Sequence, residues 1–331
     1  MKAKHIISIV LLTAMLLAAV SCTDSPAVTE TEADRTDLTD TEEMTETETE
    51  TVTETETETE TETEPEDTTP QTVYAGLDSG IVRDGSPKKY LTLSFDDGIT
   101  QDLKIMESLK KYNVKATFFI NTGLYGANWA WVGQQFNRPD VTHKRFTKKE
   151  LESGVYNGFD VENHTLTHPS LKIYDNTKNG AKQIKNETEK NSENIYKITG
   201  IYPVGMAWPG GDTEYTDKTV QLVLENSGIR FGRGITATND FRLPTEFMKW
   251  MPTCSISQGN AVALLQKFID AECTEDMLFY AWCHGYEFDL FNTWDKLDQF
   301  VKMISEADDI VVVTNAEFYQ LFKDEIPPVK E

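Results

Sequence analysis

The stretch KYLTLSFDDG, Lys89 to Gly98, decides how this chain is read. Its first seven residues suit a buried strand, and the run ends in two adjacent aspartates before a glycine. Some seventy residues later comes NHTLTHPS, Asn163 to Ser170, which sets two of the chain's five histidines four apart. Alone, adjacent aspartates after a strand describe a solvated turn, and a lone H-x3-H describes a helix surface. Their meaning depends on whether they come as a set.

Outward from Lys89, strand-like runs alternate with helical patterns. A helix is expected from Gln101 to Tyr112, N-capped by Thr100 and with Leu103, Met106 and Leu109 on one face. KATFFI (Lys115–Ile120) is rich in strand formers, TKKELESGVYNG predicts a short helix closed by Gly158, and FDVENHT predicts a strand running into a loop. A long polar helix from Asn179 to Thr199 ends at Gly200, and YPVGMAWP is a strand leading to a loop. TDKTVQLVLENSG predicts a helix, followed by strands at IRFGRGI and near FMKWMP, then a helix over Ala261–Ala271. MLFYAWCHG, a helix over Trp294–Ala307 and IVVVT complete the pattern. Repeated units of this kind imply parallel strands joined by right-handed crossovers, as a barrel or a doubly wound sheet. No glycine-rich phosphate loop opens a helix, which argues against dinucleotide binding.

Four polar clusters follow predicted strand ends: Asp96-Asp97, His164/His168, the WPGGD loop and His284. In a parallel barrel such ends converge on one face, where active sites lie. Where the strand turns at Gly98, both carboxylates can flank one cavity, one binding a metal while the other stays free as a base. His164 and His168, at i and i+4 on a helical turn, present two imidazoles on one side. Two histidines and a carboxylate form a catalytic zinc set with open positions. His284 has no partner at ligand spacing and suits a proton donor.

LSFDDG, NHTLTH and WCHGYEF, in that order, resemble the polysaccharide deacetylases of carbohydrate esterase family 4, the NodB-homology domain. The resemblance covers Lys89 to Thr314, with the first motif at Ser94–Gly98, the second at His164–His168 and the last at Leu278–His284. It implies a distorted (β/α) barrel holding a divalent metal, usually zinc, on Asp97, His164 and His168. It further implies that Asp96 takes a proton from the metal-bound water, that the metal and a backbone N–H of the WPGG loop stabilise the oxyanion, and that His284 protonates the leaving amine. The chain departs from the family at the third motif, R-P-P-Y, where MAWPGG puts Ala207 in the arginine's place and Gly210 in the tyrosine's. Arg233, at another strand end, is the candidate substitute cation. Trp208, Trp250 and Tyr286 are candidate walls for stacking a sugar ring, although core packing also accounts for each.

The ends of the chain point to export. Lys2 and Lys4 precede an apolar run, Ile6–Val20, too short to span a membrane. It ends in LAAVSC, which resembles a bacterial lipoprotein signal with Cys22 as the lipidated residue. From Asp24 to Asp67 the chain is close to a Thr-Glu alternation, with 19 acidic residues against one arginine. Such a segment repels itself and buries too little to fold, so residues 23–72 are expected to be a disordered stalk between the signal (1–22) and a deacetylase domain (73–331). The stalk carries most of the formal charge of −24. The mildly acidic remainder argues against a nucleic-acid partner. Cys254, Cys273 and Cys283 lack C-x-x-C spacing, and their odd number leaves at least one thiol unpaired within the domain.

The expected protein is therefore a monomeric, lipid-anchored, zinc-dependent deacetylase acting on an acetylated cell-wall or plant glycan. An acetylxylan esterase and a non-catalytic glycan-binding domain stand as alternatives. The missing third-motif arginine motivates the second of these, and the retention of all five reactive groups opposes it.

Overall fold

The computed structural model describes residues 72–330 except Asp78 and Gln258. The expected signal, Cys22 and all but the last residue of the stalk lie outside the described residues.

Among the described residues, eight parallel strands form one sheet: β1 (Lys89–Asp97), β2 (Thr117–Ile120), β3 (Asp160–Asn163), β4 (Gly205–Ala207), β5 (Phe231–Arg233), β6 (Cys254–Ser255), β7 (Met277–His284) and β8 (Ile310–Val312). Their order is β5-β4-β3-β2-β1-β7-β6, with β8 beside the first residues of β1. The chain from Trp250 to Ser255 ties the two edges together. Trp250 exchanges backbone hydrogen bonds with β5 (2.9 and 3.0 Å to Gly232 and Gly234), and Cys254 then pairs with Ala281 of β7. A distorted (β/α) barrel results, with strand ends gathered at one mouth.

The crossovers among the described residues carry α1 (Asp102–Lys111), α2 (Trp131–Gln135), α3 (Lys148–Glu152), α4 (Gly180–Thr199), α5 (Asp217–Asn226), α6 (Ala261–Asp270), α7 (Gly285–Phe291) and α8 (Trp294–Ser305), and α9 (Asn315–Phe322) follows the last strand. Alternation along β1 divides the core. Leu91, Leu93 and Phe95 face outward to Ile105 and Leu109 of α1, Leu265 and Phe268 of α6, and Phe300 and Ile304 of α8. Tyr90 joins Phe119, Phe231, Trp250 and Tyr280 in a second cluster, to which α9 adds Phe318 and Phe322. All nine residues of β1 are buried, as its central place requires.

Several local expectations need correction. α1 starts at Asp102 without a side-chain cap, so Thr100 is not its N-cap. α3 ends at Glu152, short of Gly158, although Thr147 and Glu150 form a reciprocal capping box at its start. FMKWMP itself is a 3₁₀ turn followed by the single bridge of Trp250 to Arg233, and the short strand expected near it is β6, which starts at Cys254.

Candidate functional site

The site is built first at the end of β1. Asp97 has φ +83° and Gly98 +65°, so the strand breaks into the left-handed region at a non-glycine residue. This turn brings two successive carboxylates to one end of the barrel. Asp96 is buried, and its Oδ2 accepts a hydrogen bond from Nη2 of Arg233, at the end of β5. Its Oδ1 has no hydrogen-bond partner among the described residues. Burial, the largest influence, raises the Asp96 pKa above the ordinary carboxylate value despite the guanidinium. Asp97 receives Arg145 Nη2 on Oδ1 at 3.0 Å, and its Oδ2 lies 2.7 Å from His143 Nε2. Burial also pushes Asp97 upward, but Arg145 and His143 outweigh it and hold the group well below the usual range.

His164 and His168 leave the end of β3 in a loop, not on the helical turn expected from their spacing. Thr165 and His168 adopt φ of +63° and +61°, and this geometry aims both rings inward. A buried amide network holds the loop. Asn163 Oδ1 accepts from Thr165 N at 2.7 Å and from Asn191 of α4 at 3.0 Å. Glu187 of α4 accepts from the backbone and hydroxyl of Thr167, each at 2.8 Å. His164 donates Nδ1–H to the Ala207 carbonyl at 2.9 Å, which leaves Nε2 as the lone-pair nitrogen.

That nitrogen is buried without a hydrogen-bond partner. It stands 3.7 Å from Asp97 Oδ1, and His168 Nε2 stands 3.6 Å from the same oxygen. Two ligands of one tetrahedral ion, each about 2.1 Å from it, lie roughly 3.4 Å apart. Burial lowers both imidazoles to about 3, with His164 further depressing His168, so both are neutral as ligands must be. Asp97, His164 and His168 thus fit a divalent cation in geometry and in protonation, and one nitrogen has no other use.

His284 closes β7 in register with Asp96. Its Nδ1–H points to Glu287 Oε1 at 2.7 Å, while Nε2 lies 3.8 Å from Asp97 Oδ2. Burial works to lower its pKa, but the Glu287 hydrogen bond and the charges of Asp97, Glu287 and Asp96 raise it to about 9. The imidazolium is therefore the favoured form near neutrality, with Glu287 fixing the ring.

The aromatic residues sort differently from the sequence reading. Trp250 is fully buried among Phe231, Phe247, Tyr280 and Phe318. Trp208 is buried against Tyr215, with its indole N–H given to the Met248 carbonyl at 2.9 Å. Neither offers a face to a sugar; both are core residues. Tyr286 does lie at the site, stacked on His284 with ring centres 5.0 Å apart. Gly210 stands in the turn after β4 at φ +74°. Sequence reasoning missed Trp129, which packs edge-on to His143 and His168, and the exposed Trp131 beside His143 and Tyr286. It also missed His143 and Arg145. The one usable signal was that His143 was left without a role in a chain of five histidines.

Residues 83–232 match the family described as polysaccharide deacetylase. Over 125 residues the chain is 29% identical to a peptidoglycan-N-acetylglucosamine deacetylase of Listeria monocytogenes, covering 37% of this chain and 22% of that protein. Over 115 residues it is 30% identical to a bifunctional xylanase/deacetylase of Pseudobutyrivibrio xylanivorans, covering 34% of this chain and 15% of that protein. The chain thus matches about a fifth or less of these relatives' lengths. Among solved structures, a family 4 acetyl xylan esterase from Clostridium thermocellum, in complex with a cobalt ion, superposes with a TM-score of 0.44 at 21% identity. That superposition covers 72% of this chain and 94% of the esterase.

Proposed function

We propose, from the match of residues 83–232 to the family described as polysaccharide deacetylase, that this protein is an exported, metal-dependent deacetylase that hydrolyses N-acetyl groups of a glycan. The observation that carries the reading is the convergence of Asp97, His164 and His168 around an unpartnered imidazole nitrogen, beside a carboxylate held by Arg233. Imidazole and carboxylate donors in this number favour zinc. Once bound, the ion supplies Lewis-acid polarisation of the acetyl carbonyl and acidifies a water.

The chain's own groups divide the proton work. Asp96 offers Oδ1 as the base while Arg233 holds Oδ2, so the carboxylate cannot rotate away from the attacking water. His284, kept protonated by Glu287, gives its proton from Nε2 to the departing sugar nitrogen. In the WPGG turn after β4, Trp208 N–H is given to the Arg233 carbonyl, Gly211 N–H to the Trp208 carbonyl, and Pro209 has none, so the Gly210 N–H is the donor left to meet the oxyanion. Trp129, Trp131 and Tyr286 form the apolar rim that excludes water from the acetyl group. The signal-like leader, Cys22 and the acidic stalk support export and a lipid anchor at the bacterial surface, with the domain held away from the membrane.

A relative with xylanase and deacetylase functions makes O-acetyl xylan the second reading. One experiment separates the two and tests the roles. The purified protein and His284→Ala are assayed on N-acetylated glycan, on acetylated xylan and on an aryl acetate, with metal content measured on the same samples. An amine leaves only when protonated, whereas an aryl oxyanion leaves unaided. His284→Ala should therefore lose about 10²–10⁴-fold on the acetamide, retain most of the aryl acetate rate and keep its metal. Equal losses on both substrates would exclude His284 as the acid. Turnover of xylan alone would replace the N-acetyl reading with the esterase.

A further inference from the structure

Among the described residues, the histidine that the proposed chemistry leaves unused is His143. It is fully buried, and so is Arg145 two residues on. Both lie on an extended segment that runs antiparallel to the chain just after Asp97. Phe146 N donates to Gly98 O at 3.0 Å, Thr100 N donates to Lys144 O at 2.8 Å, and Arg145 bridges Ile99. Residues two apart on extended backbone project to the same side, so this one segment delivers both side chains to the Asp97 carboxylate. His143 takes Oδ2 at 2.7 Å and Arg145 takes Oδ1 at 3.0 Å.

We propose that His143 is a positioning residue for the metal ligand Asp97, with Arg145 as the second arm of the same clamp; this rests on the metal-site reading above. A carboxylate only accepts hydrogen bonds, so His143 Nε2 carries the proton toward Oδ2. Its Nδ1 has no hydrogen-bond partner among the described residues, so the ring is turned toward the carboxylate by that single bond. Trp129, Trp131 and Tyr286 surround the ring at 5.0–5.9 Å between centres and keep it from swinging away. With Oδ2 engaged, the oxygen facing His164 and His168 is Oδ1. Arg145 stacks on Trp129 at 3.9 Å and also reaches Asn121, whose amide holds the Thr165 carbonyl in the histidine loop at 3.1 Å. The clamp therefore ties the carboxylate to the loop bearing the other two ligands.

Outer-sphere partners of this kind typically contribute 10–100-fold in metal affinity. The test titrates the metal-free full chain with zinc, in competition with a chromophoric chelator, for wild type, His143→Gln and His143→Leu. The two variants are similar in size, and only Gln keeps an N–H able to reach Oδ2. His143→Leu should bind zinc 10–100-fold more weakly, His143→Gln should recover most of the loss, and both should unfold at similar temperatures without metal. Equal zinc affinity in the two variants overturns the proposal. So does a cobalt-loaded His143→Gln protein whose visible spectrum differs from wild type, since His143 would then be a ligand. A wild-type chain that binds no zinc would instead remove the metal-site reading on which this one rests.

Discussion

Arg233 emerges from a strand two positions after Phe231, and its guanidinium is fully buried, lying 4.2 Å above the Trp282 ring. A buried cation is tolerated only when paired, and the partner here is Asp96. Arg233→Ala should lower turnover by roughly 10- to 1,000-fold while metal content stays at wild-type level. A near wild-type rate would show that Asp96 needs no orienting cation. The pH dependence belongs to this scale too. Asp96 works unprotonated with a raised pKa, so activity should fall on the acid side above the ordinary carboxylate range. His284 works protonated with its pKa raised to about 9, so activity is present below that value and lost as pH rises through it. Glu287→Gln removes the carboxylate bonded to His284 and should move the alkaline limb down by roughly 1–3 units. Profiles of kcat/KM for both proteins at equal metal loading would check this, and an unmoved limb would assign it to another group.

At the scale of elements, α4 is the spine of the histidine loop. Asn191 bonds the backbone N–H and hydroxyl of Thr122, the Ile120 carbonyl and Asn163, all buried. Asn191→Ala leaves several of these groups without partners, which costs about 1–3 kcal/mol for a buried polar group. Chemical unfolding should register that loss, and zinc binding should weaken with it because the ligand loop loses its anchor. The helix itself was legible: its polar repeat and Gly200, at φ +75°, marked both length and end. The loop was not. H-x3-H spacing suits a helix as well as a loop, and beside the local bonds of Thr165 N to Asn163 and His168 N to Thr165, the loop that places the rings is held by Asn121, Asn191 and Glu187 from distant parts of the chain. Local propensity has no access to such contacts.

The whole molecule depends on close approach between strands. A Cβ on Gly205 would stand 1.9–2.2 Å from ring atoms of the fully buried Phe231, and the Gly205 N–H serves the buried Glu162 at 2.7 Å. Gly205→Ala should therefore destabilise by about 1–3 kcal/mol, the typical cost of overpacking a core, read as a lower melting temperature. No loss would mean that β4 and β5 separate easily. The sequence from Asp24 to Asp67 carries very few large apolar residues for docking, so its deletion should leave the domain's melting temperature and activity nearly unchanged. A large drop in either would mean that the segment packs on the domain.

Read from residues alone, the chain declares its parallel β/α order and the four polar clusters at its strand ends, because hydrophobic period and short motifs are local properties. The aspartate pair, the two loop histidines and His284 were legible for the same reason: each sits at the end of its own strand. Arg233 was visible as a candidate, but its pairing with Asp96 depends on β5 and β1 facing each other across the barrel, 137 residues apart in sequence. Arg145 carried no signal and His143 only that of a histidine without a role, since they join Asp97 through a backbone pairing with no motif of its own. Trp208 and Trp250 show the reverse case, where aromatic character suggested a binding wall and packing made them core. Composition can specify which side chains carry the chemistry, but their mutual distances follow from barrel closure, which is a property of all the strands together.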